Sequence, residues 1–308
     1  MRFALWPLLL FGSDQVPLTA APELLRPWTK ELRDRQPDDA FAVVYQVGSN
    51  RLVFVAAQHE NRRDSLTFRM INAAYAITTF DTVIAEGFPT SWGPNPPRIF
   101  EYVTKNPVRN GFTEGGETVP TALGARQQGA MLVGGEADDA QIERQVIEAG
   151  ASGEDLLGFY TLRAIPQWIG ERKIADAGDP SLAALVEKSL DSNRAALGLP
   201  ADTLPRYLDW AAWYEAKNGK PIGADFVTEE VGPLSDGDYK TNRIAVLVAR
   251  ARDAYLHNLI ISHLNKQENV LVVFGGSHLM IHRPALDRVL GHPCFAGTDL
   301  REANSLCH

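Results

Sequence analysis

Apolar and polar positions along the chain follow two patterns of spacing, one typical of strands and one typical of helices. Residues 41–47 and 51–57 are apolar runs joined by Gly48-Ser49-Asn50, a pattern that predicts a β-hairpin. Residues 66–77 have helical spacing, and a further helix is expected from about Thr121. Residues 81–85 and 130–133 are short apolar runs, the second ended by Gly134-Gly135, and both predict strands.

The second half of the chain is dominated by helical signals. Residues 137–217 contain no strand pattern, and we interpret them as a helical insertion over the sheet and not as a separate domain. Residues 239–265 form the longest periodic segment. Its apolar arc comprises Ile244, Leu247, Val248, Ala251, Tyr255, Leu259 and Ser262. The opposite face, expected to be solvated, carries Arg243, Arg250, Asp253 and His257. Residues 269–274 are apolar throughout, as in a strand buried on both faces.

Strands that alternate with helices predict an α/β fold. We expect a mainly parallel, mixed β-sheet flanked by helices, with right-handed crossovers. A length of 308 residues fits either two domains or one large one. The continuous pattern favours a single α/β domain over residues 23–308 that carries the helical insertion at 137–217.

Composition excludes some classes of protein. Apolar residues make up 45% of the chain and charged residues 22%, so a disordered chain is not expected. The net charge is −8 and no Lys/Arg block occurs, which argues against nucleic-acid binding. We expect a small-molecule or peptide substrate, while the sequence is silent on oligomeric state.

The amino terminus bears on the cellular compartment. Residues 1–22 have the outline of a signal peptide, with Arg2 followed by an apolar run that is too short to span a membrane. The alternative is a buried first strand or helix. Export predicts a periplasmic or secreted protein, with a cytoplasmic location as the alternative. Cys294 and Cys307 would then either form a disulfide or remain free thiols.

Four polar residues share one position relative to the predicted strands. His59, Glu86, Glu136 and His278 each follow an apolar run. If those strands are parallel, the four side chains gather at the carboxyl edge of the sheet, where α/β proteins bind ligands. Taken singly, each histidine is more often structural and each glutamate more often caps a helix, so the functional interpretation rests on the coincidence.

Two imidazoles and a carboxylate form a common zinc set. His59, His278 and Glu86 are therefore candidate metal ligands, for zinc or manganese. Glu86 or Glu136 could alternatively act as general base on a water molecule. The segment around Ser277 resembles a nucleophile elbow, but Leu279 replaces its final glycine, which disfavours a serine hydrolase.

Arg252 is the second candidate. It lies inside the apolar arc of the long helix, where an arginine requires a partner. It would pair with Glu86 or Glu136, or stabilise a substrate oxyanion. The alternative is an arginine at the helix edge that extends to solvent.

Four segments, in order along residues 52–279, resemble motifs of the superfamily that joins erythromycin esterases, ChaN-like haem-binding proteins and TraB/Tiki-type proteins. They are Val55-Ala56-Ala57-Gln58-His59, Asp81-Thr82-Val83-Ile84-Ala85-Glu86, Ala251-Arg252-Asp253 and Val270-Leu271-Val272-Val273-Phe274-Gly275-Gly276-Ser277-His278-Leu279. The resemblance implies an α/β fold with a polar cleft built from His59, Glu86, Arg252 and His278.

Two functions follow from this resemblance. The first is a hydrolase, either metal-dependent or metal-independent, that cleaves a peptide or ester bond with Glu86, Arg252 and Glu136 as catalytic candidates. The second is a haem- or iron-binding uptake protein without catalysis, in which His59 or a nearby tyrosine ligates iron. A regulatory descendant with an inactive site is a third.

Overall fold

A mixed sheet of six strands forms the centre of the molecule in the computed structural model, which describes residues 16–307. The strands are Phe41–Val47 (β1), Asn50–Ala57 (β2), Thr82–Pro89 (β3), Met131–Glu136 (β4), Val270–Gly275 (β5) and Phe295–Gly297 (β6). Their order is β4-β3-β5-β2-β1-β6. Strands β4, β3, β5 and β2 run parallel to one another, and β1 is antiparallel to both β2 and β6. The predicted mixed, mainly parallel α/β fold is confirmed.

Helices cover both faces of this sheet. They are Lys30–Asp34 (α1), Leu66–Ile77 (α2), Pro97–Lys105 (α3), Thr118–Gln128 (α4), Asp139–Glu148 (α5), Gly153–Leu162 (α6), Ile165–Gly170 (α7), Leu182–Ala196 (α8), Tyr207–Asn218 (α9), Lys240–Leu264 (α10), Gly276–Leu290 (α11) and Ala303–Leu306 (α12). Single 3₁₀ turns occur at Pro22–Leu24, Thr90–Trp92, Thr228–Val231 and Leu300–Glu302.

Three hydrophobic clusters hold these layers together. On one face of the sheet, side chains of β1, β2, β3 and β5 pack against α2, α3 and α4. On the other face, they pack against the carboxyl-terminal half of α10 and against α11. Helices α5 to α9 bury a third cluster among themselves and the first half of α10. The helical block therefore has its own core and is joined to the sheet through one long helix.

The central strand β5 is buried along its whole length. It lies between β2 and β3, and all six of its residues are inaccessible to solvent. This confirms the expectation from its uninterrupted apolar sequence, because a strand covered on both faces needs no polar side. The hairpin of β1 and β2 is also confirmed, with Val47 paired to Asn50.

Helix α10 departs from its predicted exposure. Arg243 and Arg250 are exposed as expected, but Asp253 and His257 are only 2% and 0% exposed. The prediction that both lie on the solvated face was wrong because α10 is covered on two sides. Sheet and helical block cover one side, while α11 and the turn Pro22–Leu24 cover the other. Ser262, which was assigned to the apolar arc, is exposed.

Two strand boundaries also differ from the sequence interpretation. Strand β3 continues to Pro89, so that Glu86 lies within it, and its pairing with β4 shifts between Ala85 and Pro89. Such irregularities re-aim side chains near functional sites. Gly134 and Gly135 lie inside β4 instead of ending it. A Cβ atom on Gly135 would collide with the ring of Phe274, so the contact of this β5 side chain with the backbone of β4 requires glycine there.

The carboxyl terminus is fixed covalently. Cys294, just before β6, forms a disulfide with Cys307, whose carbonyl accepts a hydrogen bond from Arg51 of β2. Of the two alternatives for these cysteines, the structure shows the bridge. The signal-peptide prediction for residues 1–22 falls largely outside the described residues. Between residues 16 and 307, no helix is both long and apolar enough to span a membrane.

Candidate functional site

The carboxyl ends of the four parallel strands bring the predicted site residues to one edge of the sheet. His59 lies two residues after β2, Glu86 in β3, and Glu136 at the last position of β4. His278 lies in the first turn of α11, directly after β5. Parallel β2–β5–β3–β4 pairing therefore produces the predicted gathering, with β5 in the middle.

Gly275 is the point on which three of these side chains converge. A Cβ atom at this position would lie 3.4 Å from Glu86 Oε2, 3.5 Å from His59 Nε2 and 3.8 Å from His278 Cδ2. A Cβ atom there would be in van der Waals contact with all three side chains. Glycine keeps this space between two imidazoles and a carboxylate open.

Glu86 is held as a carboxylate. Its Oε2 accepts a 2.7 Å hydrogen bond from the Gly275 backbone N–H, and its Oε1 lies 3.6 Å from His278 Nε2 and 3.7 Å from an Arg252 guanidinium nitrogen. Burial alone would raise the pKa of Glu86, but His278, the Gly275 N–H and Arg252 together lower it to about 2. The group therefore carries a negative charge at neutral pH.

His278 is held as an imidazolium by a carboxylate on either side. Its Nδ1 lies 2.6 Å from Oδ1 of Asp253, and its Nε2 faces Glu86. Burial opposes the charge, but the charge and hydrogen bond of Asp253, followed by those of Glu86, raise the pKa of His278 to about 10. In turn, the charges and hydrogen bonds of His278 and His282 hold the pKa of buried Asp253 well below its usual range, although burial acts in the opposite direction.

His59 differs from His278 because its side chain is 68% exposed. Its Nδ1 lies 2.6 Å from Oε1 of Glu117, the residue that precedes α4. This hydrogen bond raises the pKa of His59, with partial burial acting in the opposite direction. The two loops that carry the pair are joined by backbone pairing of Arg62 with Phe112. The His59–Glu117 pair thus forms a dyad at the open side of the site.

Arg252 has the buried partner that its place in the apolar arc required. Its Nε lies 2.7 Å from Glu136 Oε2 and its second terminal nitrogen 2.5 Å from Glu136 Oε1, a bidentate pair. The predicted pairing of Arg252 with Glu86 or Glu136 is confirmed, and Glu136 is the principal partner. Glu136 does not lie beside either histidine. It is connected to Glu86 through Arg252, which contacts both carboxylates.

Sequence reasoning missed three members of this network. Asp253 and Glu117 hold the two imidazoles, and buried His282 places its Nε2 3.2 Å from Asp253 Oδ1. His278 and His282 are four residues apart, so helical spacing alone would have put them on one face of α11. Glu117 follows Gly115-Gly116 at a helix start, a weaker signal.

The donor set does not fit a metal ion. Among residues 16–307, no three His, Cys, Asp or Glu side chains are arranged to hold one together. Glu86 also already faces two cationic side chains. The metal set of His59, His278 and Glu86 stays a prediction.

A cleft of about 460 Å³ opens beside Arg252 and Glu136. Its other walls come from the end of β3, the turn at Trp92, the start of α5, and Tyr160 and Arg163 of the helical block. The helical insertion thus forms one wall of this cleft.

No protein-family model, curated protein or solved structure matches this chain.

Proposed function

We propose that this protein is a hydrolase that cleaves an ester or peptide bond at the carboxyl edge of its sheet by acid–base chemistry. One observation carries the proposal. Two imidazoles, each with Nδ1 held 2.6 Å from a carboxylate oxygen, flank the space left by Gly275 beside an ionised glutamate. A carboxylate that orients an imidazole through Nδ1 leaves Nε2 for proton transfer.

The two histidines take different roles because their surroundings differ. His59 is exposed and has one carboxylate partner, so it can exchange a proton with water, as a general base must. His278 is charged at that pH and cannot accept a proton. It therefore serves as a fixed positive charge beside the reacting carbonyl.

Arg252 supplies the second positive charge. Glu136 fixes two of its nitrogens, which orients the guanidinium toward Glu86 and the cleft. Glu86 lies close to both His278 and Arg252, and its negative charge offsets the repulsion between these two cations. Glu86 and Glu136 are thus positioning residues, whereas His59, His278 and Arg252 contact substrate.

The chemistry balances with water as the only co-reactant. Nε2 of His59 takes a proton from water as the water oxygen bonds to the carbonyl carbon, and the carbonyl oxygen becomes an oxyanion beside His278 and Arg252. The C–O or C–N bond to the leaving group then breaks, and the His59 imidazolium returns the proton to that group. The products are a carboxylic acid and an alcohol or amine.

The exposure of His59 favours one alternative, a haem- or iron-binding protein without catalysis. An accessible imidazole whose Nδ1 is held by a carboxylate suits iron ligation through Nε2. Titration with hemin separates the two functions. A Soret shift that disappears in His59→Ala would support the alternative, and an unchanged spectrum rejects it.

The test of the hydrolase is a panel of nitrophenyl esters and peptide anilides. Replacement of His59 by alanine should lower kcat by about 10²- to 10⁴-fold, the usual contribution of a general base. The side chain of His292 is 95% exposed and lies far from the strand ends, so His292→Ala is the matched control and should retain full activity. Full turnover by His59→Ala with an unchanged Tm would contradict the mechanism.

The disulfide supports a proposal on location. Bridges such as Cys294–Cys307 persist in oxidising compartments. We therefore propose a periplasmic or secreted protein, which cell fractionation with thiol labelling of the unreduced protein would test.

A further inference from the structure

A second hollow lies next to the cleft beside Arg252. It has a volume of about 330 Å³ and is lined by residues of α6, α7 and α8. Asp139, Tyr160 and Arg163 line both spaces and therefore lie at the boundary between them. A substrate that reacts beside Arg252 and extends along the cleft would therefore meet Arg163 next.

Arg163 is a cation without a carboxylate partner in the described part of the chain. Its guanidinium lies over the Tyr160 ring, 5.7 Å from the ring centroid. Partial burial and the nearby charge of Arg252 lower its pKa, while Tyr160 and the more distant carboxylates of Glu136 and Asp139 act in the opposite direction. An arginine stacked on an aromatic ring keeps its N–H groups free for another partner.

The carboxylates along the same cleft have other roles. Glu136 accepts hydrogen bonds from Nε and one terminal nitrogen of Arg252, and Asp138 accepts a hydrogen bond from the Ser91 hydroxyl. Asp139 is the first residue of α5, where the helix dipole stabilises a negative charge. None of them neutralises Arg163 by direct contact.

Two aromatic residues also line the cleft. Trp92 is 40% exposed, its ring stacks on Phe88 at 6.0 Å between centroids, and the Arg98 guanidinium lies 5.4 Å from the centroid of the Trp92 ring. An exposed tryptophan at the wall of a polar cleft offers contact area to an apolar or aromatic group. The cleft therefore combines an apolar wall with an unpaired guanidinium.

We propose that Arg163 binds a carboxylate of the substrate, which would make the substrate class N-acyl amino acids or peptides with a terminal carboxylate near the scissile bond. Their apolar side chain would lie against Trp92. This inference rests on the proposed hydrolase for the identity of the reacting bond, but the binding site itself does not require catalysis.

The test compares two probes that differ only in the carboxylate, N-acetyl-L-phenylalanine and its amide, by calorimetry or by tryptophan fluorescence. Wild-type protein should bind the acid at least about tenfold more tightly, the effect of one charge-assisted hydrogen-bonded pair. Arg163→Gln should remove this preference and Arg163→Lys should retain part of it. Arg144→Gln, an exposed change on α5, should leave it intact.

Equal binding of acid and amide, no binding of either, or a preference that survives Arg163→Gln would each overturn the proposal. Because neither probe has to be cleaved, the result is independent of the hydrolase proposal. Carboxylate preference without turnover of any ester or peptide would refute the hydrolase alone. Turnover without carboxylate preference would refute the role of Arg163 alone.

Discussion

Oδ1 of Asp253 lies 2.6 Å from Nδ1 of His278 and thereby connects the long helix α10 to the candidate site at the carboxyl edge of the sheet. The same oxygen lies 3.2 Å from Nε2 of His282, so one buried carboxylate orients two imidazoles. The network behind the site is therefore ionic, although it lies in the interior. Its charges stabilise one another only while all of them are present.

Asp253→Asn should damage both stability and activity. The change removes the negative charge that keeps His278 protonated, and the loss of one partner from a buried ion pair costs about 3–5 kcal/mol. We expect a lower free energy of unfolding in urea and a reduced kcat for any substrate that wild-type protein hydrolyses. An unchanged unfolding midpoint would show that Asp253 is not an essential partner. Arg243→Gln, on the exposed face of α10, is the control.

Stability should fall at alkaline pH because of His278. The folded state raises the pKa of this residue from about 6.5 to about 10. Its stabilisation is therefore complete below about pH 6.5 and is lost as pH rises through about 10. Urea unfolding at a series of pH values should show this decline, and His278→Gln should flatten it. A decline of the same slope in the variant would assign the effect to other groups.

Activity should rise with pH as His59 loses its proton. The hydrogen bond to Glu117 raises the pKa of His59, so the ascending limb of the profile of kcat/KM should lie above the ordinary range of histidine. Glu117→Gln removes the charge of the partner and should move this limb to lower pH. A profile that does not move would mean that another group is the base.

Chelation should leave hydrolysis unchanged. The proposed steps use only side chains of the chain and water, so dialysis against EDTA should not lower kcat. Elemental analysis of the purified protein provides the independent measurement. Loss of activity on chelation, with recovery on addition of zinc or manganese, would instead establish His59, Glu86 and His278 as ligands.

Loss of the disulfide should destabilise the protein. Cys294 and Cys307 are 13 residues apart. In the chain-entropy model, a disulfide that closes a loop of that length raises the free energy of unfolding by about 3 kcal/mol. The double variant Cys294→Ala/Cys307→Ala should unfold at correspondingly lower urea concentration. A reductant should lower the stability of wild-type protein and have no effect on the variant, which separates the bridge from other effects of the reagent.

The sequence predicted most of the sheet because these strands have local sequence signals. Strand β5 is apolar throughout, and the turn between β1 and β2 is Gly48-Ser49. From these elements the meeting of His59, Glu86, Glu136 and His278 at one edge followed by topology alone. The pairing of Arg252 was also predictable, because a guanidinium in an apolar arc needs a carboxylate.

The remaining partners depended on which helices pack together. Asp253 looked like a surface residue because the periodicity of α10 describes one buried face, and the packing of α11 against its other side is a long-range contact. The contribution of Glu117 required the loop after β2 to meet the start of α4. Neither contact leaves a pattern within one segment of sequence.

The position of β5 has a consequence for how the chain folds during synthesis. The strand at the centre of the sheet is made after its neighbours β2 and β3, and more than two-thirds of the chain precedes it. Until residue 275 leaves the ribosome, the edges of β2 and β3 that later pair with β5 are open to other chains. The candidate site is completed by the same part of the chain, because Gly275 and His278 belong to it. A nascent chain halted before β5 would therefore lack these two residues and be prone to aggregate.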